Sequence, residues 1–191
     1  YISFDINCGG CSINSPVLYV EITYGTKYNY RTKKWMLDFD MEEIDMRHYN
    51  NFWSKMGDAL QRIKQLSVSQ HNGWESIYNF ITLIKETYPN NTLIFCCSNS
   101  HDLALINYNI YKYCFDKDCI QYNSEGFCYK VVDPMETRRF FPHRYDVEKI
   151  IKLHTEAMYM PEISSGYSSN YIYLYQMLMD ERECSLLNSL I

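Results

Sequence analysis

Residues 92–97 are Thr92-Leu93-Ile94-Phe95-Cys96-Cys97, a short stretch that is apolar after its first residue. A run of this length without polar alternation is typical of a strand buried on both faces of a sheet. Such strands belong to α/β proteins, in which helices cover the sheet and neighbouring strands run parallel. We therefore expect an α/β fold with this stretch inside the sheet.

Helical patterns lie on both sides of this strand. Residues 74–88 predict one helix that Pro89-Asn90-Asn91 ends, and residues 102–113 predict another. Their inward positions are Ile77, Phe80, Ile81 and Ile84 in the first and Leu103, Ile106 and Ile110 in the second. A shorter pattern, Phe52-Trp53, Met56, Leu60 and Ile63, predicts a further helix nearer the N-terminus.

The remaining elements complete the order. Alternating or β-branched runs predict strands at residues 1–6, 17–24 and 28–37, which would form an antiparallel meander, and at residues 127–132. Helices are predicted at residues 145–160, 168–179 and 182–191. The order β-β-β-α-β-α-β-α indicates a mixed sheet, antiparallel at first and parallel later, flanked by helices. No linker or repeat divides the chain, so residues 1–191 are expected to be one domain.

Composition excludes several classes of protein. With 47% hydrophobic residues among 191, the chain can bury a core and is not a disordered tail. A formal net charge of −5 argues against a strongly basic nucleic-acid-binding protein, although a local basic stripe remains compatible with it. The apolar runs are too short to cross a membrane. We expect no membrane partner.

The cysteines indicate a reducing compartment. Eight cysteines are too few to replace a core with disulfides, and Cys96, Cys97 and Cys128 lie in apolar runs where a reduced thiol packs as a small hydrophobe. We expect an intracellular protein, cytoplasmic or nuclear, and a viral source is compatible with the composition. Because the sequence begins at Tyr1 rather than Met, we also expect it to be excised from a longer chain.

One cysteine pair invites a different interpretation. Cys8-Gly9-Gly10-Cys11 follows a strand, as redox and zinc motifs do. A redox site needs the first Cys at a helix N-terminus, but Ser15-Pro16 follows closely. Zinc would need a second pair from Cys114, Cys119 or Cys128, at spacings unlike those of a finger or ribbon. Free thiols are the favoured interpretation.

Two carboxylates lie where strands end or helices begin. Asp5 is placed near the end of the first strand, and Asp102 opens the helix after the buried strand. If these strands are neighbours, both carboxylates face one cleft and could hold Mg²⁺. Alternatively, Asp102 is a helix N-cap, a role for which Asp is preferred.

Several segments resemble, in order, the motifs of one enzyme family. They are Phe4-Asp5-Ile6-Asn7, Asn51-Phe52-Trp53, Leu93-Ile94-Phe95 with Ser98-Asn99-Ser100-His101-Asp102-Leu103, Val132-Asp133-Pro134-Met135, and Ser165-Gly166-Tyr167-Ser168-Ser169-Asn170-Tyr171. The whole chain resembles the DnaQ-like, DEDDh family of 3′–5′ exonucleases. The resemblance implies an RNase H-like fold, with a mixed five-stranded sheet flanked by helices. It also implies a Mg²⁺ or Mn²⁺ site acting on single-stranded 3′ ends.

The departures from the family pattern concern its catalytic groups. Asp5 and Asp102 match metal-binding carboxylates, whereas Asn7 stands where the first motif has Glu. Ser165 stands for the general-base His, and Asn170 for the last Asp. Halving the negative charge weakens a two-metal site, and the lost base contributes on the order of 10²–10⁴-fold. The resemblance therefore implies a degenerate exonuclease, a pseudoenzyme without a required cofactor.

An active enzyme remains the alternative. His143, in Pro142-His143-Arg144-Tyr145-Asp146, could supply the base, although its spacing to Asp146 is shorter than in the family. In that case the protein would be a Mg²⁺- or Mn²⁺-dependent 3′–5′ exonuclease on single-stranded RNA or DNA. His101 stands where the family has an inward Phe, so we expect it to be structural.

Basic residues suggest what an inactive module would bind. Arg138, Arg139 and Arg144 form one cluster, and residues 27–34 hold another. Such clusters could follow phosphates if they line one cleft. The expected partners are single-stranded nucleic acid or other protein subunits, for which the domain would serve as a binding or scaffolding module.

Overall fold

The computed structural model describes residues 1–25, 29–88, 93–97, 100–114 and 127–131. The strands are β1 (Ile2–Cys8), β2 (Val17–Gly25), β3 (Tyr30–Met36), β4 (Leu93–Cys97) and β5 (Phe127–Val131). The α-helices are α1 (Met46–Asn51), α2 (Ala59–Leu66), α3 (Gln70–Thr87) and α4 (Ser100–Tyr113), with 3₁₀ turns at Met41–Glu43 and Trp53–Lys55. Within these ranges no helix is both long and apolar enough to cross a bilayer.

The strands form a mixed sheet in the order β3-β2-β1-β4-β5. β1 pairs antiparallel with β2, and β2 with β3, whereas β1 with β4 and β4 with β5 are parallel pairs. The predicted mixed α/β sheet flanked by helices is thus confirmed, including the place of β4 inside it. The number of strands in the whole chain and the RNase H-like assignment stay predictions. The helices predicted at residues 145–160, 168–179 and 182–191 lie outside the described residues.

The larger core lies between the sheet and helices α3 and α4. Phe4 of β1 stacks on Phe95 of β4, with ring centroids 5.3 Å apart. The helices contribute the buried side chains Trp74, Ile77, Ile81, Ile84, Leu105, Ile106 and Ile110. The inward positions predicted for both helices are confirmed, although Phe80 and Leu103 are only partly buried.

A second core cluster lies where β2 begins and α2 packs. Its buried members are Leu18, Tyr19, Phe39, Ile44, Trp53, Met56, Ala59 and Ile63. Trp53 is almost fully buried, and its Nε1 donates a hydrogen bond of 3.0 Å to the carbonyl of Cys8. The indole thereby ties the segment before α2 to the end of β1.

The single helix predicted over Phe52–Ile63 is wrong. The chain forms a 3₁₀ turn at Trp53–Lys55 and then passes through Gly57 at φ 58° before α2 begins at Ala59. Glycine occupies this left-handed conformation without steric cost, so the helix is interrupted there. Trp53, Met56 and Ile63 are nevertheless buried. Their spacing identified the inward side chains but not the break between them.

A close approach explains a glycine inside α3. A Cβ atom at Gly73 would clash with the side chain of Leu37, which is fully buried just after β3. Gln70 on the same helix donates from Nε2 to the carbonyls of Val17 (2.8 Å) and Asp38 (2.7 Å), which holds the start of α3 against the sheet. The helix therefore cannot move away to make room.

We expect Gly73→Ala to lower the free energy of unfolding by about 1–3 kcal/mol, because overpacking outweighs the gain in helix propensity. Urea denaturation monitored by circular dichroism measures this change. Leu83→Ala, at an exposed position of the same helix, is the control and should stay within about 0.5 kcal/mol of the parent. A stabilised Gly73→Ala variant would contradict the packing of α3 on Leu37.

Candidate functional site

Three neighbouring strands place polar side chains on one face of the sheet. The register pairs Asp5 with Glu21, and Glu21 with Lys34. Because side chains alternate along a strand, Asp5 lies on the face opposite Phe4 and the α3–α4 core. Asp5, Glu21 and Lys34 thus form a row across three strands, which we call the acidic row.

Glu21 is the most buried charged group of the acidic row. Its side chain has no exposed surface, and its Oε2 accepts a hydrogen bond of 3.1 Å from the Tyr19 hydroxyl. The Lys34 Nζ lies 3.5 Å from the same oxygen, while 35% of the Lys34 side chain is exposed. A buried carboxylate is stable only when paired and hydrogen-bonded, and Glu21 meets both conditions.

The carboxyl group of Asp5 has a pKa close to neutral pH. Burial of its carboxyl group and the negative charge of Glu21 raise the pKa of Asp5 to about 7, while Lys34 acts in the opposite direction. Two carboxylates side by side disfavour ionisation of both. The acidic row therefore combines two carboxyl groups with one ammonium group, and the pKa of Asp5 lies near neutral pH.

The end of β1 lies beyond the end of β4. The parallel register pairs Ser3 with Cys96, so Asp5 and Asn7 extend past the last paired position, at the carboxyl end of β4. This is the edge at which α/β proteins commonly place their sites. The strand continues to Cys8, however, so the expectation that Asp5 lies near its end is wrong.

Asp102 lies in the first turn of α4 and is 8% exposed. Burial is the largest cause of the raised pKa of the Cys8 thiol. The negative charge of Asp102 raises this pKa further, and the charge of Asp5 adds a smaller effect. Both acids are therefore within electrostatic range of Cys8. Since α4 begins at Ser100, Asp102 is not its N-cap, and that alternative is wrong. β1 and β4 are neighbours, as the Asp5–Asp102 site requires.

The other predicted site residues divide into two groups. Asn7 lies on the same face as Asp5 and is paired with Tyr19. His101 is exposed, so the expectation that it packs inward is wrong. The remaining candidates lie outside the described residues: Ser165, Asn170, His143, Arg138, Arg139 and Arg144. Their roles stay predictions.

The acidic row fits a divalent cation poorly. Glu21 already binds the Lys34 ammonium group, so a divalent cation would have to displace Lys34 to use this carboxylate. Across the described ranges, no three His, Cys, Asp or Glu side chains gather as a metal site would need. The assignment of Asp5 and Asp102 as metal ligands stays a prediction.

Four cysteines whose side chains the structure describes are free thiols. Cys8, Cys96 and Cys114 are buried, whereas Cys11 is exposed with its Sγ 4.0 Å from His48 Nδ1. The expectation of unpaired thiols packed in the core is confirmed for the three buried residues.

Sequence reasoning missed Glu21, Lys34 and Tyr19. Glu21 carried a signal, because it is the one charged residue in Val17-Leu18-Tyr19-Val20-Glu21-Ile22-Thr23-Tyr24, a run otherwise fit for burial. Lys34 carried none, since it belongs to the adjacent pair Lys33-Lys34, which looks like any solvated basic run. Only the strand register brings these residues together.

Comparison with known proteins adds no family to this description. No family model matches the chain, and no curated protein matches it either.

Proposed function

We propose that this chain is a catalytically inactive, exonuclease-like module that binds single-stranded nucleic acid without cleaving it. The observation that carries the proposal is the Lys34 ammonium group, 3.5 Å from the Glu21 carboxylate within the acidic row. An RNase H-like fold, an intracellular location and further protein partners form part of the same proposal.

The acidic row argues against phosphodiester cleavage. Two-metal hydrolysis uses a set of ionised carboxylates to offset the repulsion between the cations. Here the positive charge beside Glu21 is the Lys34 ammonium group rather than a metal ion. The raised pKa of Asp5 leaves its carboxyl group partly protonated near pH 7. A metal ion would have to compete with both. The Asn7 amide beside them supplies no charge.

The edge strand β3 supports nucleic acid as the partner. Tyr30, Arg31 and Lys33 are exposed on this strand, and Tyr30 keeps 49% of its surface accessible. Exposed cations on an edge strand can contact the phosphates of a single-stranded nucleic acid, and Arg31 and Lys33 share one face of β3, whereas Tyr30 lies on the other. Lys33 Nζ lies 5.0 Å from the Trp35 ring centroid, which holds this cation over the strand.

The first test is for cleavage. We expect no trimming of end-labelled single-stranded RNA or DNA incubated with the purified protein and Mn²⁺. The matched Asp5→Ala variant is the control for a contaminating nuclease, because trimming by a contaminant would be the same in the parent and the variant preparations. Trimming that Asp5→Ala abolishes would overturn the proposal in favour of an active 3′–5′ exonuclease.

The second test is for binding. We expect labelled single strands to bind in a filter assay with an affinity that falls steeply as the salt concentration rises. In the double variant R31Q/K33Q, the slope of log affinity against log salt concentration should be smaller by about 1.4, at roughly 0.7 per phosphate contact. Lys55→Gln, which removes an exposed cation from a segment remote from β3 in the chain, should leave the slope unchanged. Absence of binding at low salt would refute a nucleic-acid role and leave protein scaffolding.

A further inference from the structure

A cavity of about 230 Å³ lies between α2 and strands β2 and β3, next to the Lys34 end of the acidic row. Most of its wall is apolar. The apolar side chains that line it are Met36, Ala59, Ile63 and Leu66. Ala59 and Ile63 are buried at its floor, whereas Leu66 is 65% exposed and marks the side open to solvent.

Three polar side chains complete the wall: Tyr19, Lys34 and Arg62. Arg62 Nε bonds Asp58 Oδ2 at 3.0 Å, but both side chains are more than half exposed, so water screens this pair. Lys34 is paired with the buried Glu21. Neither partner carboxylate, Asp58 nor Glu21, belongs to the lining. The charged groups that face the cavity are therefore both cations.

We propose that this cavity binds a small amphipathic carboxylate, with its apolar chain against Ala59 and Ile63 and its anionic group between Arg62 and Lys34. Ligand sites are concave and mostly apolar, with a few polar groups that orient the ligand. Arg62 supplies a planar set of donors that matches a carboxylate. Lys34 and Arg62 already pair with Glu21 and Asp58, so we expect a modest preference for an anionic over a neutral ligand and a weaker affinity for an ammonium ligand.

The cavity volume indicates how much of a ligand the cavity can enclose. A volume of about 230 Å³ corresponds to the liquid volume of roughly eight water molecules. A six-carbon chain with one carboxylate has about that many heavy atoms, so hexanoate is the matching probe. This proposal shares Lys34 with the acidic row but does not use Arg31 or Lys33, so its test is separate from the test of nucleic-acid binding.

The test compares three probes that share a hexyl chain and differ in the head group. We expect isothermal titration calorimetry to give a Kd of about 0.1–1 mM for hexanoate, near the ligand efficiency of small molecules. 1-Hexanol should bind about fivefold more weakly, and hexylammonium more weakly still. Equal affinity for hexanoate and 1-hexanol, or no heat of binding with hexanoate, would overturn the proposal.

Variants assign the binding to this cavity. Arg62→Gln should weaken hexanoate by about fivefold and leave 1-hexanol unchanged, whereas Arg62→Lys should retain part of the preference. Lys64→Gln, which removes a cation of the same helix that pairs with Asp38, should change the affinity for neither probe.

Ala59→Leu fills the buried part of the cavity and should abolish the binding of both probes. Since that variant could also disturb the core, Leu66→Glu at the exposed side is the second variant, expected to weaken hexanoate more than 1-hexanol because the added negative charge repels only the carboxylate. Hexanoate binding unaffected by Arg62→Gln and Leu66→Glu would place the ligand elsewhere and refute the site.

Discussion

Replacing Asp5 by Asn is expected to raise the free energy of unfolding at pH 8 by about 2–4 kcal/mol and to flatten its dependence on pH. The pKa of Asp5 is about 7 in the folded protein, against an ordinary value of 3.8 for an aspartate side chain. One pH unit between the folded and unfolded pKa values corresponds to roughly 1.4 kcal/mol, and relaxation of the site reduces the total. Asn imitates the protonated carboxyl at every pH.

The sign follows from proton binding. Below about pH 4 the carboxyl is neutral in both states, so Asp5 costs the folded protein nothing. As pH rises from about 4 to about 7, the unfolded chain releases the proton and the folded protein retains it, so stability falls. Above the folded pKa both states are ionised and the loss is complete. Urea denaturation at intervals from pH 4 to pH 8 measures this slope.

Two further variants separate this effect from general charge effects. Asp58→Asn removes a carboxylate that is 57% exposed, and should leave the stability difference between pH 4 and pH 8 as in the parent. Lys34→Met removes the cation that lowers the pKa of Asp5, so the fall in stability should continue to higher pH. If Asp5→Asn showed the same slope as the parent, the desolvation and the charge of Glu21 that raise the pKa of Asp5 would be contradicted.

Replacing Trp53 by Ala is expected to cost about 3–5 kcal/mol of stability, the range for removal of a large buried aromatic side chain. Trp53 is 1% exposed, and its ring meets Phe52 edge-on with centroids 4.9 Å apart. Its loss would also leave the Cys8 carbonyl without the indole hydrogen bond. Chemical denaturation monitored by far-UV circular dichroism gives the change.

The Trp53→Phe variant divides this cost between its two sources. It keeps an aromatic ring but loses the N–H donor, so a loss of about 1–3 kcal/mol is expected. Tyr111→Ala, at a residue 66% exposed on α4, should remain within about 0.5 kcal/mol of the parent. A Trp53→Ala protein as stable as the Tyr111→Ala protein would contradict the position of Trp53 in the second core cluster.

The elements of the described part were largely predictable. The strand predicted at residues 17–24 is one residue longer and ends at Gly25. The strand predicted at residues 92–97 begins one residue later, at Leu93. Both runs are strongly β-branched or apolar, so local pattern and burial favour the same conformation. The break at Gly57 was missed because the spacing from Trp53 to Ile63 satisfies a helix, while the backbone turns out of it to bring Trp53 to Cys8.

The candidate site was predictable only in part. Asp5 and Asn7 were identified from a short motif, and the neighbouring positions of β1 and β4 support the expected relation between Asp5 and Asp102. The charges that act on Asp5 were not foreseen, because Glu21 and Lys34 reach it through antiparallel register. A shift of one residue in that register would turn these side chains to the other face of the sheet.

The sequence by itself determined the five strands and helices α3 and α4 of the described part, with most of the side chains that face the core, because periodicity acts over a few neighbouring residues. Only the tertiary structure decided that Lys34 compensates Glu21 beside Asp5, and that Arg62 shares a cavity with Lys34. These contacts join residues far apart in the chain. Their electrostatic energies depend on distances and burial that no local pattern encodes.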